Sequence, residues 1–172
     1  EHLREVEWVT LASDGAGDGR RANSADGRSF LLHYDDETDT VWFRLELHQP
    51  LEDGYPALSV SVDIDADQTS GISWYGANSD FTFERMVSVG PREELGDSLR
   101  GYNGVTDSTG VAKGDWINVK SGVVTFYAEP SGDAFVLGIA REDIAPGLRR
   151  FNVIGSVGSD ARWNDDIGES GF

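Results

Sequence analysis

With 172 residues, the chain is long enough for one domain, which at this size buries roughly 70% of the surface that its unfolded form exposes. It carries 31 acidic against 14 basic residues, a net charge of −17, and this balance excludes binding to the phosphate backbone of nucleic acids and to anionic membrane surfaces. The sequence contains no cysteine, which excludes disulfides and thiolate zinc sites, and no apolar run approaches the ~18 residues that membrane insertion requires.

The composition favours an extracellular or cell-surface location. Lys113 and Lys120 are the only lysines, and salt outside the cell screens the self-repulsion of an acidic surface. A generic acidic domain from a GC-rich genome would have the same composition. Residues 1–20 show no signal-peptide pattern, and since the chain begins with Glu1 we expect a mature or trimmed fragment.

Short apolar or alternating runs followed by Gly, Asp, Asn or Ser recur along the chain and predict β-strands. In chain order the predicted strands are Glu5–Leu11, Ser29–Asp35, Thr40–His48, Ala57–Asp65, Asp80–Val89, Trp116–Val119, Val123–Glu129, Ala134–Ala140 and Phe151–Val157. Tight turns are predicted at 35–39 and 131–133. Helical signal is weak and is confined to 91–99 and to a single turn at 141–144.

The third predicted strand, Thr40–His48, indicates how these strands pack. Its two faces are Val41, Phe43, Leu45 and Leu47 on one side and Trp42, Arg44, Glu46 and His48 on the other. One face therefore belongs to a core, and the other is exposed to solvent or only shallowly covered, as in an antiparallel sandwich. Many short strands, regular turn signals and little helix predict one domain over residues 1–172, an all-β, antiparallel β-sandwich of jelly-roll type with about 9–10 strands.

The segment 63–71, Asp-Ile-Asp-Ala-Asp-Gln-Thr-Ser-Gly, follows an alternating strand pattern and is the most informative part of the chain. The period of two projects Asp63, Asp65 and Asp67 from one side as the strand ends. Carboxylates about 4 Å apart repel by roughly 4 kcal/mol per pair at an effective dielectric constant of about 20, and a divalent cation removes that repulsion. Oxygen ligands on a flexible loop suit calcium better than magnesium. We therefore predict a calcium site formed by Asp63, Asp65 and Asp67, with Glu84 on the next strand.

The same segment is not an EF-hand loop, because Gln68 stands where that loop needs glycine and Trp74 stands where it needs glutamate. No helical pattern flanks it. Calcium on a β-sandwich would need further oxygen ligands, for which the carbonyls of 66–71, the side chains of Asn78 and Asp80 and the C-terminal pair Asp165 and Asp166 are candidates. The alternative to a metal site is an acidic turn, in which aspartate side chains accept hydrogen bonds from backbone amides.

Aromatic residues beside small polar ones predict a ligand-binding loop at 71–81. Trp74 and Tyr75 stand between glycines, and Asn78 follows them. Loop aromatics can stack on sugar faces while neighbouring polar groups bind the hydroxyls. Trp163, just after the last predicted strand, could approach the same end of the sandwich. The alternative is that the Trp74 side chain packs against the core and closes that end of the sandwich.

These motifs together resemble those of the family-nine carbohydrate-binding modules and the DOMON-like sandwiches related to them. The shared features are a strand that ends in Asp-x-Asp-x-Asp, then Thr-x-Gly, an aromatic and glycine loop, and a strand that begins near Asp-Phe-Thr-Phe-Glu. The resemblance covers residues 30–90 and, more loosely, 163–168. It implies a jelly-roll sandwich with structural calcium bound by Asp65 and Asp67, Glu84 near the metal, and in some members a sugar bound between aromatic rings.

The sequence shows no nucleophile elbow, and the many carboxylates have no diagnostic value for a glycosidase. Arg44, Glu46 and His48 could form an acid–base cluster, although cross-strand ion pairing on a solvated face explains them more simply. The sequence therefore predicts a non-catalytic, calcium-stabilised extracellular binding module for a neutral glycan. The alternatives are an enzyme that acts on a polysaccharide and a structural or assembly domain of a larger surface protein.

Overall fold

The computed structural model describes residues 3, 5–19, 25–51, 56–67, 69–73, 81–90, 103–107, 117–144, 151–159 and 162–167. Its strands are β1 Val9–Ser13, β2 Gly27–Asp35, β3 Thr40–Leu47, β4 Pro56–Asp63, β5 Ile72–Ser73, β6 Thr82–Phe83, β7 Arg85–Val89, β8 Asn103–Asp107, β9 Ile117–Ser121, β10 Thr125–Ala128, β11 Ala134–Ala140, β12 Asn152–Ser159 and β13 Arg162–Ile167. One short helix, α1 Arg141–Ile144, follows β11 directly.

The strands form two antiparallel sheets and a small ribbon. The five-stranded sheet has the order β1-β2-β3-β11-β10, and the six-stranded sheet has the order β13-β12-β4-β7-β8-β9. Strands β5 and β6 pair as a separate ribbon, and β6 also contacts β4. All neighbouring strands run antiparallel.

A hydrophobic core lies between the two sheets. Phe43 and Leu45 of β3 belong to the same buried cluster as Val60 of β4, and each such side chain contributes about 1.5–3 kcal/mol through burial. A Cβ atom added at Gly155 of β12 would lie 2.7 Å from Leu45 Cδ2, so the two sheets are in close contact there. The predicted all-β sandwich is confirmed, whereas its jelly-roll connectivity and its extent as one domain stay predictions.

The turns predicted from the sequence are observed. In the turn between β2 and β3, Asp35 Oδ1 accepts a hydrogen bond from the Glu37 amide at 3.0 Å, and Asp39 has a φ of +52°. Between β10 and β11, Gly132 has a φ of +75°, a conformation that favours glycine. The predicted helical turn is observed as α1, whereas the helix predicted at 91–99 lies outside the described residues.

Several strands differ from the sequence prediction. The first begins at Val9 rather than Glu5, and the predicted strand Asp80–Val89 is divided at Glu84 into β6 and β7. The strands β8 and β13 were not predicted because each is short and has few apolar residues, in Asn-Gly-Val-Thr-Asp and Arg-Trp-Asn-Asp-Asp-Ile. Trp163 consequently lies within a strand and not after the last one. Pairing with neighbouring strands, which a local pattern does not encode, makes these segments extended.

Candidate metal centre

The acidic segment begins at Asp63, the last residue of β4. Asp63 Oδ1 accepts hydrogen bonds from the amides of Asp65 at 3.2 Å and Ala66 at 2.6 Å, and Asp65 Oδ1 accepts one from the amide of Asp67 at 2.9 Å. Ala66 has a φ of +57°, so the chain leaves the strand direction there. These are the hydrogen bonds of the acidic-turn interpretation. An ionised carboxylate has two oxygens with about four lone-pair positions, so a carboxylate that accepts these hydrogen bonds can also bind a cation.

Glu84 lies at the break between β6 and β7, and its side chain reaches the acidic segment. Its amide donates to the Val62 carbonyl at 3.1 Å, which holds the break beside β4. Glu84 Oε2 accepts a hydrogen bond from the Ile64 amide at 3.0 Å, and Oε1 accepts one from Ser70 Oγ at 2.9 Å. Glu84 is only 4% exposed. The interruption of the strand therefore brings a buried carboxylate to the loop that follows β4.

Asp63, Asp65 and Glu84 together can hold a metal ion. Each offers one carboxylate oxygen, and these oxygens all lie within 4.8 Å of one another. Asp63 and Glu84 are buried, and Asp65 is exposed. Burial is the largest cause of the raised pKa of Glu84, and the charges of Asp65 and Asp63 act in the same direction, against the hydrogen bonds that Glu84 accepts. A cation among the three carboxylates would offset this unfavourable charge.

The hydroxyl of Ser70 lies among these oxygens. Its Oγ is 3.1 Å and 2.9 Å from the two carboxylate oxygens of Asp65, 2.9 Å from Glu84 Oε1 and 3.1 Å from the backbone oxygen of Asp67. A hydroxyl has one proton, so these contacts cannot all be good hydrogen bonds at once. Carboxylate, hydroxyl and carbonyl oxygens form the donor set that hard cations take. Sequence analysis missed Ser70, for which the only signal was its place in Thr-Ser-Gly after the aspartates.

Asn152 supports the site from the neighbouring strand β12. It is the register partner of Asp63, and its Nδ2 donates to Asp63 Oδ2 at 3.0 Å. Such a hydrogen bond orients a carboxylate for metal binding. Sequence analysis missed Asn152 as well, because 89 positions separate it from Asp63 and only strand pairing brings the two together.

Asp67 is placed differently from the other predicted ligands. Its Oδ1 accepts hydrogen bonds from the amide and the hydroxyl of Thr69, at 2.9 Å and 2.6 Å. The hydroxyl of Thr69 is the main cause of the lowered pKa of Asp67. Among the described residues, the group of three carboxylates does not include Asp67, whose backbone oxygen instead contacts Ser70 and Thr82. Its role as a carboxylate ligand stays a prediction.

The residues predicted to bind a ligand are not brought together by the described part of the structure. Trp74, Tyr75 and Asn78 lie outside the described residues. Trp163 lies in β13, where its register partner is Gly158 of β12. The approach of these residues to one another therefore stays a prediction.

The alternative catalytic cluster on β3 is engaged in ion pairs. Glu46 accepts hydrogen bonds from Arg28 at 3.0 Å and from Arg44 at 2.9 Å, and Arg44 also pairs with Glu129 at 3.1 Å. The Nε2 atom of His48 lies 3.1 Å from the backbone oxygen of Asp14. This geometry agrees with cross-strand ion pairing on a half-exposed face.

Comparisons with known proteins do not assign the chain to a family. Neither a family model nor a curated protein nor a solved structure matches the chain. Within the described ranges, the chain forms no helix with the length and apolar character needed to cross a bilayer.

Proposed function

We propose that this protein is a non-catalytic extracellular binding module that calcium stabilises and whose ligand is a neutral carbohydrate. The observation that carries the metal part is the convergence of Asp63, Asp65 and Glu84, with Ser70 Oγ within hydrogen-bond distance of Asp65 and Glu84. Two of these carboxylates, those of Asp63 and Glu84, are buried. A divalent cation is the simplest compensation for their charge.

Calcium fits this arrangement better than magnesium or a transition metal. The donors are oxygens that come from the end of β4, from the following loop and from the break at Glu84. Calcium accepts roughly 6–8 oxygens in irregular geometry, whereas magnesium demands near-ideal octahedral geometry. The group contains no His or Cys, the ligands that favour zinc and copper.

The carbohydrate part is supported by charge and by the resemblance to family-nine carbohydrate-binding modules. A net charge of −17 opposes polyanionic ligands and leaves neutral glycans as the fitting polymer class. The sequence of 71–81 supplies aromatic and amide side chains of the kind that bind sugar rings.

Calorimetric unfolding with and without calcium tests the metal part. At a calcium concentration about 100 times its dissociation constant, the fold should gain about 2.7 kcal/mol. The variant Asp65→Asn should lose most of this gain. The control Asp36→Asn removes an equal charge from the exposed turn between β2 and β3 and should keep the gain. An unfolding temperature that neither calcium nor chelator changes would contradict the proposal.

Binding to immobilised neutral glycans tests the carbohydrate part. The calcium-loaded protein should bind at least one glycan of a neutral panel, and Trp74→Ala should weaken that binding. Trp8→Ala, which changes a tryptophan at the edge of the five-stranded sheet, is the matched control. Absence of binding across the panel would remove the carbohydrate part and leave the metal part standing.

A further inference from the structure

Tyr127 of β10 lies on the outer face of the five-stranded sheet. In the strand register it stands beside Val136 of β11, which in turn stands beside Arg44 of β3. Residues opposite one another on adjacent strands share one face of a sheet. Arg44 alternates along β3 with Phe43 and Leu45, which belong to the core between the sheets. The side chain of Tyr127 therefore points away from that core.

The aromatic ring of Tyr127 is open to solvent and packed on its neighbour. The residue is 52% exposed. Its ring stacks on the indole of Trp42 at a centroid distance of 6.1 Å, with 24° between the two planes. Trp42 is itself buried and lies over Gly138 of β11, where the absence of a side chain leaves room for the indole. The buried indole thus supports a second aromatic ring that stays accessible.

The charged side chains beside Tyr127 compensate one another. Arg44 pairs with Glu46 at 2.9 Å and with Glu129 at 3.1 Å, and Arg28 pairs with Glu46 at 3.0 Å. Two guanidinium groups thus face two carboxylates, although the whole chain has a net charge of −17. Such a surface is complementary to an uncharged ligand. A guanidinium has five N–H donors and a carboxylate about four lone-pair positions, so these paired groups can also bind hydroxyls.

We infer that Tyr127, Arg44 and Glu129 form a binding surface for a neutral glycan chain. The tyrosine ring packs against the C–H face of a sugar ring, and the two charged side chains bind its hydroxyls. The surface suits a chain rather than a monosaccharide, because small molecules are bound in concave sites, whereas β10 is the open edge of its sheet. The inference rests on the proposed carbohydrate function and names a surface for its ligand on the sheet opposite β4 and the metal centre.

Calorimetric titration of the calcium-loaded protein with β-1,4-linked hexasaccharides of glucose, mannose and xylose tests this inference. At least one of these neutral chains should bind. Tyr127→Ala should weaken its binding about threefold to tenfold, as expected for the loss of one aromatic contact. Tyr127→Phe keeps the ring and should bind within about twofold of the wild type.

The matched control is Tyr34→Ala. Tyr34 is also a half-exposed tyrosine of the five-stranded sheet, at 45%, but its register partner Val41 belongs to the core, so it lies on the opposite face. The control should bind the hexasaccharide as the wild type does. Unfolding temperatures of all variants, measured on the same samples, show whether each is folded.

Three results would overturn the inference. Binding that Tyr127→Ala retains places the glycan elsewhere; if Trp74→Ala abolishes that binding, the proposed function stands without the inference. An equal loss in Tyr127→Phe and Tyr127→Ala excludes ring stacking. Self-association of the wild type that Tyr127→Ala abolishes, measured by sedimentation velocity, places a second copy of the chain on this surface. Wild-type protein that binds none of the hexasaccharides is a different failure, which removes the carbohydrate part of the proposed function and the inference with it.

Discussion

The carboxylate of Glu84 occupies the space that a side chain at position 71 would need. A Cβ atom at Gly71 would lie closer than 3.0 Å to Glu84 Oε1 and 2.5 Å from the backbone oxygen of Phe83. Gly71 also has a φ of +71°, a conformation that favours glycine. The glycine that ends the acidic segment is therefore required both by the backbone and by the position of a candidate metal ligand.

Gly71→Ala should destabilise the protein and weaken calcium binding. The matched control is Gly122→Ala, because Gly122 has the same φ of +71° and has no atom within 4 Å of an added Cβ. The control should lose about 1 kcal/mol of stability through backbone strain alone and should bind calcium normally. Gly71→Ala should lose more and should bind calcium at least about tenfold more weakly, a difference of about 1.4 kcal/mol. Equal effects of the two variants on calcium affinity, measured by titration calorimetry, would contradict this placement of Glu84.

Glu84→Gln should change the pH dependence of the metal-free protein. Because the pKa of Glu84 is raised in the folded state, mainly by burial, the folded protein binds this proton more tightly than the unfolded chain does. The ionised group therefore opposes stability at neutral pH, and this penalty disappears as the pH falls through the raised pKa. In denaturant unfolding of chelator-treated protein at several pH values, the stability of the wild type should rise relative to that of Glu84→Gln as the pH falls through the raised pKa. The control Glu37→Gln, in the exposed turn after β2, should keep the wild-type slope.

Asp39→Asn should remove a pH-dependent link between the β2–β3 turn and α1. Asp39 accepts hydrogen bonds from Arg141 at 2.7 Å and 3.0 Å and from Tyr34 Oη at 2.7 Å. The Arg141 guanidinium is the largest cause of the lowered pKa of Asp39. Since the folded pKa is depressed, this stabilisation is present above the unfolded pKa and is lost as the pH falls through the folded pKa. Asparagine tolerates the φ of +52° at this position, so the variant tests the ion pair and not the backbone.

The unfolding temperature of Asp39→Asn should consequently lie below that of the wild type at neutral pH, and the two should converge in acid. Asp36→Asn, in the same turn, should follow the wild type throughout. A difference for Asp39→Asn that is constant with pH would mean that packing and not charge is responsible.

Gly138→Ala should force the indole of Trp42 from its position. An added Cβ at Gly138 would lie 2.5 Å from Trp42 Cε3, and the indole also stacks on the Tyr127 ring at a centroid distance of 6.1 Å. Overpacking of this kind costs about 1–3 kcal/mol. In a double-mutant cycle with Trp42→Ala, the cost of Gly138→Ala should nearly vanish, because the clashing ring is absent. Denaturant unfolding of the four proteins measures this coupling, and additive effects would contradict it.

Local sequence patterns were sufficient to predict the fold class and the location of the acidic segment. The alternation of Val41, Phe43 and Leu45 with polar residues is a local pattern of period two, and it identified a strand with one buried face. The spacing of Asp63 and Asp65 at the end of another such strand is local in the same sense. Glu84 was included because it stands on the next predicted strand.

Which oxygens lie together in the candidate metal centre depends on contacts between distant parts of the chain. The chain turns at Ala66, and this separates the Asp67 carboxylate from the group that Asp63, Asp65 and Glu84 form. The interruption of the strand at Glu84 and the pairing of β12 with β4, which brings Asn152 to Asp63, depend on contacts between distant parts of the chain. Local periodicity encodes the direction in which a side chain leaves its own strand, but not the partner that the fold places opposite it.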